Sequence, residues 1–194
     1  MGKLICLMGK SSSGKDTIYK RLRTELPELL PVVLYTTRPM REGEQDGVEY
    51  HFVSEEEYQS IHKSGRIMEE RSYQTVYGVW RYFTVWDEEK NLNESSYIMI
   101  GTPEAFEKIV EYLGREQVVP VFIDLDDGVR LQRALDREKA QDHPRYLEMC
   151  RRFLADAEDF SREKTEALGI EKVFYNEHLE QCLEEIKEYI RQQV

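Results

Sequence analysis

Residues 4–22 read Leu-Ile-Cys-Leu-Met-Gly-Lys-Ser-Ser-Ser-Gly-Lys-Asp-Thr-Ile-Tyr-Lys-Arg-Leu, and this stretch decides the fold class. Leu4 to Met8 is a short continuous apolar run, as expected for a strand covered on both faces of a parallel sheet. Ile18, Leu22 and Leu26 then recur on one helical face, and Pro27 closes the helix. Between strand and helix lies Gly9-Lys10-Ser11-Ser12-Ser13-Gly14-Lys15. In that context the glycines let the backbone curl around a phosphate. The N–H groups of the loop and of the helix N-terminus then point at the anion. Lys15 adds a positive charge at the terminal phosphates of a nucleotide. The next position ordinarily carries a hydroxyl for Mg²⁺; here it is Asp16, followed by Thr17. Asp16 either helps hold Mg²⁺ beside the polyphosphate or simply sits where the helix dipole favours an acid.

Working outward, further strands are expected at Val32–Tyr35, His51–Val53, Tyr97–Ile100, Val118–Leu125 and Lys172–Tyr175. Ser54 and Glu57 have the spacing of a capping box that opens a helix. More helices are expected over Glu104–Leu113, about 128–137 and about 145–161, the last with Leu147, Cys150, Leu154 and Ala157 at helical spacing. Leu179, Leu183, Ile186 and Ile190 mark a C-terminal amphipathic helix. Strands alternating with helices predict an α/β fold, a parallel sheet covered by helices on both faces. Residues 66–86, rich in aromatic and β-branched types, read as strands and loops. The span 35–90 breaks the alternation and reads as an inserted subdomain.

The 194 residues fit one domain. No apolar run approaches the ~18 residues of a membrane span. The N-terminus lacks a small-residue cleavage site and reads as a strand, not a signal peptide. A net charge of −11 argues against nucleic acid or an anionic membrane as partner. It leaves room for an anionic small molecule held by a local arginine cluster. Cys6, Cys150 and Cys182 lie far apart among apolar neighbours, which predicts buried reduced thiols and a cytoplasmic protein. The four histidines show no zinc spacing. Oligomeric state leaves no signal.

Residues 36–44 read Thr-Thr-Arg-Pro-Met-Arg-Glu-Gly-Glu, and 46–54 read Asp-Gly-Val-Glu-Tyr-His-Phe-Val-Ser. Arg38 and Arg41 in a Gly-punctuated loop can fork onto a phosphate from two sides, and Tyr50 adds a neutral donor. Together with the phosphate loop, Met68-Glu69 and Tyr77-Gly78, these words resemble guanylate kinases, most clearly over residues 1–80. The resemblance implies a P-loop nucleoside-monophosphate kinase that uses ATP and Mg²⁺. Its core would be 1–34, 91–136 and 146–194, its acceptor-binding insertion 35–90, and its short lid 137–145. The donor would be held by Gly9, Ser11, Ser12, Ser13, Gly14, Lys15, Asp16 and Thr17, with Asn176 near the adenine. Arg38, Arg41, Tyr50 and Tyr77 would hold the acceptor phosphate, and Glu69 would contact guanine. Lys15 with Arg133, Arg137 and Arg152 would stabilise the transferred phosphoryl.

The chain also departs from that pattern. Leu34 stands where the family usually has serine, and Val79 where it has serine or threonine. The run Ile98-Met99-Ile100-Gly101-Thr102 lacks the usual acid that reads the guanine edge. Phosphate-holding positions are kept and most base-reading ones are lost, a change that can cost discrimination of ~10⁴. Compensating contacts are therefore to be sought at Val79, Met99 and Thr102. Asp16 and the Gly101-Thr102 ending are similar to ribose 1,5-bisphosphate phosphokinase. The expected function is phosphorylation of GMP or dGMP by ATP. The alternatives are a kinase of the same fold for another phosphorylated acceptor, such as ribose 1,5-bisphosphate, and a non-catalytic guanylate-kinase-like binding module.

Overall fold

A computed structural model describes residues 1–41, 43–48, 50–75, 78–87 and 89–194. Strand β1 (Leu4–Gly9) is buried along its whole length. It lies at the centre of a parallel sheet, flanked by β7 (Ser96–Ile100) on one side and β8 (Val118–Asp124) on the other. The sheet is completed by β2 (Leu29–Pro31) beyond β7 and β9 (Val173–Tyr175) beyond β8.

Side chains of β1 alternate between the faces. Ile5 and Leu7 pack against Ile18 and Leu22 of α1 (Lys15–Glu25) and Leu183, Ile186 and Ile190 of α7 (Leu179–Gln193). Leu4, Cys6 and Met8 pack on the other face, against Phe106 and Ile109 of α3 (Pro103–Leu113) and against Phe160 and Ile170. Each fully buried aliphatic side chain contributes roughly 1.5–3 kcal/mol. The expected α/β architecture is thus present.

A second sheet has the order β4 (His51–Phe52), β3 (Tyr35–Thr36), β6 (Gly78–Val85), β5 (Ile67–Thr75). Helix α2 (Glu55–Lys63) covers it through Tyr58, which packs with Phe83 and Val85. The capping box forms: the Ser54 N–H donates to Glu57 at 2.7 Å, and the Glu57 N–H donates to Ser54 Oγ at 3.1 Å. Between β8 and β9 run α4 (Asp127–Lys139), α5 (Tyr146–Asp159) and α6 (Arg162–Ala167). No described helix is long and apolar enough to cross a membrane.

Three readings need correction. The second core strand is Leu29–Pro31, not 32–35; Pro31 is tolerated because β2 is an edge strand. Residues 32–34 instead lead from one sheet to the other. Cys150 is exposed, while Cys6 and Cys182 are buried. The reason is that Leu147, Cys150 and Leu154 all face solvent, and α5 turns Phe153 inward beneath Arg130. Helix α4 runs to Lys139, so the first residues of the 137–145 segment are helical.

Candidate active site

The loop between β1 and α1 is shaped by close packing. Gly14 caps α1 with φ +90°, and a Cβ there would lie 2.2 Å from Asn176 Nδ2. A Cβ on Gly9 would lie 2.6 Å from the Ile123 carbonyl oxygen. Both positions therefore require glycine. Ser12 is left-handed at φ 64°, and the Ser13 N–H donates to the Lys10 carbonyl at 3.2 Å. The hydroxyls of Ser12 and Ser13 are buried without a partner among the described residues. Unpaired buried donors in a loop of this shape fit an incoming anion. Asn176 is buried beneath the loop, where its Nδ2 donates to the Ser13 carbonyl at 2.8 Å. It supports the loop and does not line the open cleft.

That cleft, of about 840 Å³, is bordered by Gly9, Ser11, Ser12, Gly14 and the first turn of α1 through Thr17. Lys15 Nζ lies 3.2 Å from Asp16 Oδ1, and the Asp16 side chain is 79% exposed. No group of three His, Cys, Asp or Glu side chains that could hold a metal gathers among the described residues. Mg²⁺ commonly rests on substrate phosphates plus one or two carboxylates, and Asp16 on this cleft fits that mode.

Arg133 and Arg137 on α4 and Arg152 on α5 converge on the same cleft. None has a side-chain hydrogen bond or ion pair among the described residues. Three unpaired guanidinium groups beside this loop, in a chain of charge −11, form a local positive field.

Several residues missed by sequence reading complete this side. Arg130 is fully buried. Its Nη1 donates to the Ser11 carbonyl at 3.1 Å, and its Nη2 to Asp127 Oδ1 at 2.6 Å. Asp156 Oδ2 accepts the Ser11 N–H at 2.7 Å and lies 3.7 Å from Arg130 Nη1. Asp124, last residue of β8, accepts from Lys10 Nζ at 3.2 Å. Asp124 had a readable signal, an acid ending an apolar strand. Asp156, on a helix far along the chain, had none.

The acceptor side is arranged differently from the sequence expectation. Arg38 is buried, and its Nη1 and Nη2 donate to the two carboxylate oxygens of Glu44 at 2.9 and 2.8 Å. The Arg38 guanidinium and the Arg41 N–H hold the Glu44 carboxyl down at about 2. The Arg38 fork is thus engaged within its own loop. Arg41 lines an adjoining cavity of about 820 Å³, together with Arg137 and Arg152. Tyr50 borders the main cleft, and burial raises its hydroxyl pKa. Tyr77 lies outside the described residues.

Glu69 is buried. Its Oε1 accepts from the Thr84 hydroxyl at 2.7 Å and its Oε2 from Arg71 Nε at 3.2 Å. Leu34, Arg71 and Thr102 border the main cleft. Val79 is exposed and does not border it, and Met99 is buried in the core. Of the three positions expected to compensate for the missing base-reading groups, only Thr102 reaches the cleft, and Arg71 is the charged newcomer.

A family model described as Guanylate kinase matches residues 1–193. The guanylate kinase of Synechococcus sp. (strain JA-3-3Ab) is 29% identical over 96% of this chain and 81% of its own. That of Wolbachia pipientis wMel is 28% identical over 99% of this chain and 90% of its own. That of Corynebacterium diphtheriae is 48% identical over 36% of each chain. Among solved structures, the guanylate kinase from Anaplasma phagocytophilum superposes with a TM-score of 0.68 at 24% identity, covering 99% of this chain and 86% of that one, a likeness of fold.

Proposed function

Because the chain belongs to the guanylate kinase family, we propose that it transfers the terminal phosphoryl of ATP to the phosphate of a nucleoside monophosphate, with GMP or dGMP as the first acceptor to test. The observation that carries this reading is the convergence on one cleft of a glycine-shaped loop, the unpartnered Ser12 hydroxyl and three unpaired arginines.

The attacking group would be a phosphate oxygen that is already anionic, so no general base is required. Catalysis then rests on alignment and charge neutralisation. The Ser11–Gly14 backbone and the α1 N-terminus would cradle the donor phosphates. Lys15, Arg133, Arg137 and Arg152 would offset charge spreading over the transferred group. Mg²⁺, held by the nucleotide phosphates with Asp16 from the chain, would supply further neutralisation when bound. Tyr50 and Arg41 would orient the acceptor. Arg38 would act either through its Glu44 contact or after exchanging that carboxylate for the acceptor phosphate.

A second reading is a kinase of the same fold for a phosphorylated acceptor without a guanine, such as ribose 1,5-bisphosphate. It is favoured by Leu34 on the cleft and by both oxygens of Glu69 being engaged. A third, the non-catalytic binding module, is disfavoured by the intact loop lysine. The deciding experiment is ADP release from Mg-ATP with GMP, dGMP, AMP, CMP, UMP and ribose 1,5-bisphosphate. Acceptor-dependent ADP formation is expected. Silence with every acceptor, ATP still binding, would overturn phosphotransfer.

A further inference from the structure

Arg71 of β5 borders the cleft together with Leu34 and Thr102, and the side chains of these three offer hydrogen-bond donors and no carboxylate. The Arg71 side chain is 20% exposed. Its Nε is tied to Glu69, and its two terminal nitrogens have no partner among the described residues. A guanidinium has donors and no acceptor. The Glu69 side chain has no exposed surface, so its negative charge balances Arg71 from behind without facing a ligand. Thr102 Oγ1 already accepts the Ala105 N–H at 3.2 Å, which leaves its hydroxyl proton to donate. Leu34 offers no polar group. The carboxylates on the same cleft are engaged elsewhere: Asp156 with the Ser11 N–H, Asp159 at 3.8 Å from Lys164, and Asp16 with Lys15.

We propose that Arg71 determines the acceptor specificity of this pocket, which takes a phosphorylated acceptor whose other end presents hydrogen-bond-accepting oxygens to the Arg71 fork. This inference rests on the phosphotransfer reading for the identity of the cleft. Two sources share the required chemistry. One is the oxo edge of a base, such as guanine O6 and N7 or uracil O4; the other is a second phosphate on a sugar. Adenine and cytosine present an amino group at the corresponding edge, which would set donor against donor and leave a buried guanidinium arm unpaired.

The test is calorimetric binding of GMP, UMP, AMP and ribose 1,5-bisphosphate to the full chain, wild type and Arg71→Gln. Loss of Arg71 leaves Glu69 buried and unpaired, so the Glu69→Gln/Arg71→Gln pair serves as a second variant should the first fail to fold. The wild type is expected to bind at least one oxygen-presenting acceptor about tenfold or more tighter than AMP. Both variants should lose about ten- to a hundredfold on that acceptor, with AMP little changed. A loss confined to GMP and UMP identifies a base edge. A loss confined to the bisphosphate identifies a second phosphate. AMP binding as tight as the best acceptor, an unchanged ranking in the variants, or no acceptor binding at all would overturn the proposal. Because binding is read and not turnover, a protein that discriminates among acceptors yet releases no ADP would sink the phosphotransfer reading alone.

Discussion

Arg130→Met is the perturbation with the widest reach. Methionine keeps much of the volume against Phe153, whose ring lies 4.7 Å from the guanidinium carbon. It removes every polar contact of a side chain with no exposed surface. The Ser11 carbonyl, which is partly buried, loses its donor, a cost of about 1–3 kcal/mol. The cation–π contact with Phe153 is worth about 1 kcal/mol. Asp127 is 60% exposed and rehydrates, so its lost ion pair adds little. The sum is about 2–4 kcal/mol, or a fall in Tm of roughly 6–12 °C for a chain of this length. Asp156, only 18% exposed, also loses its nearest cation while still facing the phosphate loop. ATP affinity should then drop by about tenfold, the repulsion of one poorly screened charge. Urea unfolding followed by circular dichroism, with ATP titration by calorimetry, reads both. A stability loss under about 1 kcal/mol with unchanged ATP affinity would refute the claim that Arg130 braces the loop.

Lys15→Met should lower kcat by about 10²–10³ and shift Tm by no more than about 2 °C, since the ammonium contacts only the exposed Asp16 among the described residues. A loss of less than tenfold in an acceptor-dependent ADP assay would contradict its role. The Glu44 carboxyl is lowered from 4.5 to about 2. Its contribution is therefore complete at neutral pH and fades as pH falls from about 4.5 towards about 2. The gap in urea midpoint between wild type and Glu44→Gln should narrow over that range, and a constant gap would be inconsistent with it. Burial holds the Cys6 and Cys182 thiols up at about 12 and about 11, while Cys150 is exposed. A thiol reagent should modify one cysteine quickly in the native protein and the rest only on unfolding; three fast equivalents would contradict the buried core.

The phosphate loop and central sheet were legible because their signals are local. The change of period from Leu4–Met8 to Ile18–Leu22 marks strand and helix, and the glycines between them stand where packing leaves no room for a Cβ. The second strand was misplaced because the apolar run continues from Leu29 through Tyr35. Only pairing with β7 decides which part of it joins the sheet. The α5 stripe was misleading for a related reason. Leu147, Cys150 and Leu154 have helical spacing, but the inward contacts fall to Phe153 and Asp156, which meet a buried arginine instead of an apolar core. On the acceptor side the sequence named Arg38 and Glu69 without revealing that each is already engaged. The Arg38–Glu44 fork and the Glu69–Arg71 pair depend on loop closure and strand bulging, which leave no periodic trace. Arg71 stood in plain view with no local pattern to set it apart.

The Asp156 contact with the Ser11 N–H interlocks the β1–α1 loop with α5. A donor phosphate that takes this N–H has to evict the carboxylate, and Asp156 sits on the same helix as Arg152, one turn further along. Under the phosphotransfer reading, seating the donor would therefore disturb a contact made by the helix that also carries Arg152. Asp156→Asn should weaken the interlock, and stopped-flow mixing with ATP would show it as faster association; an unchanged rate would mean that the carboxylate leaves without resistance.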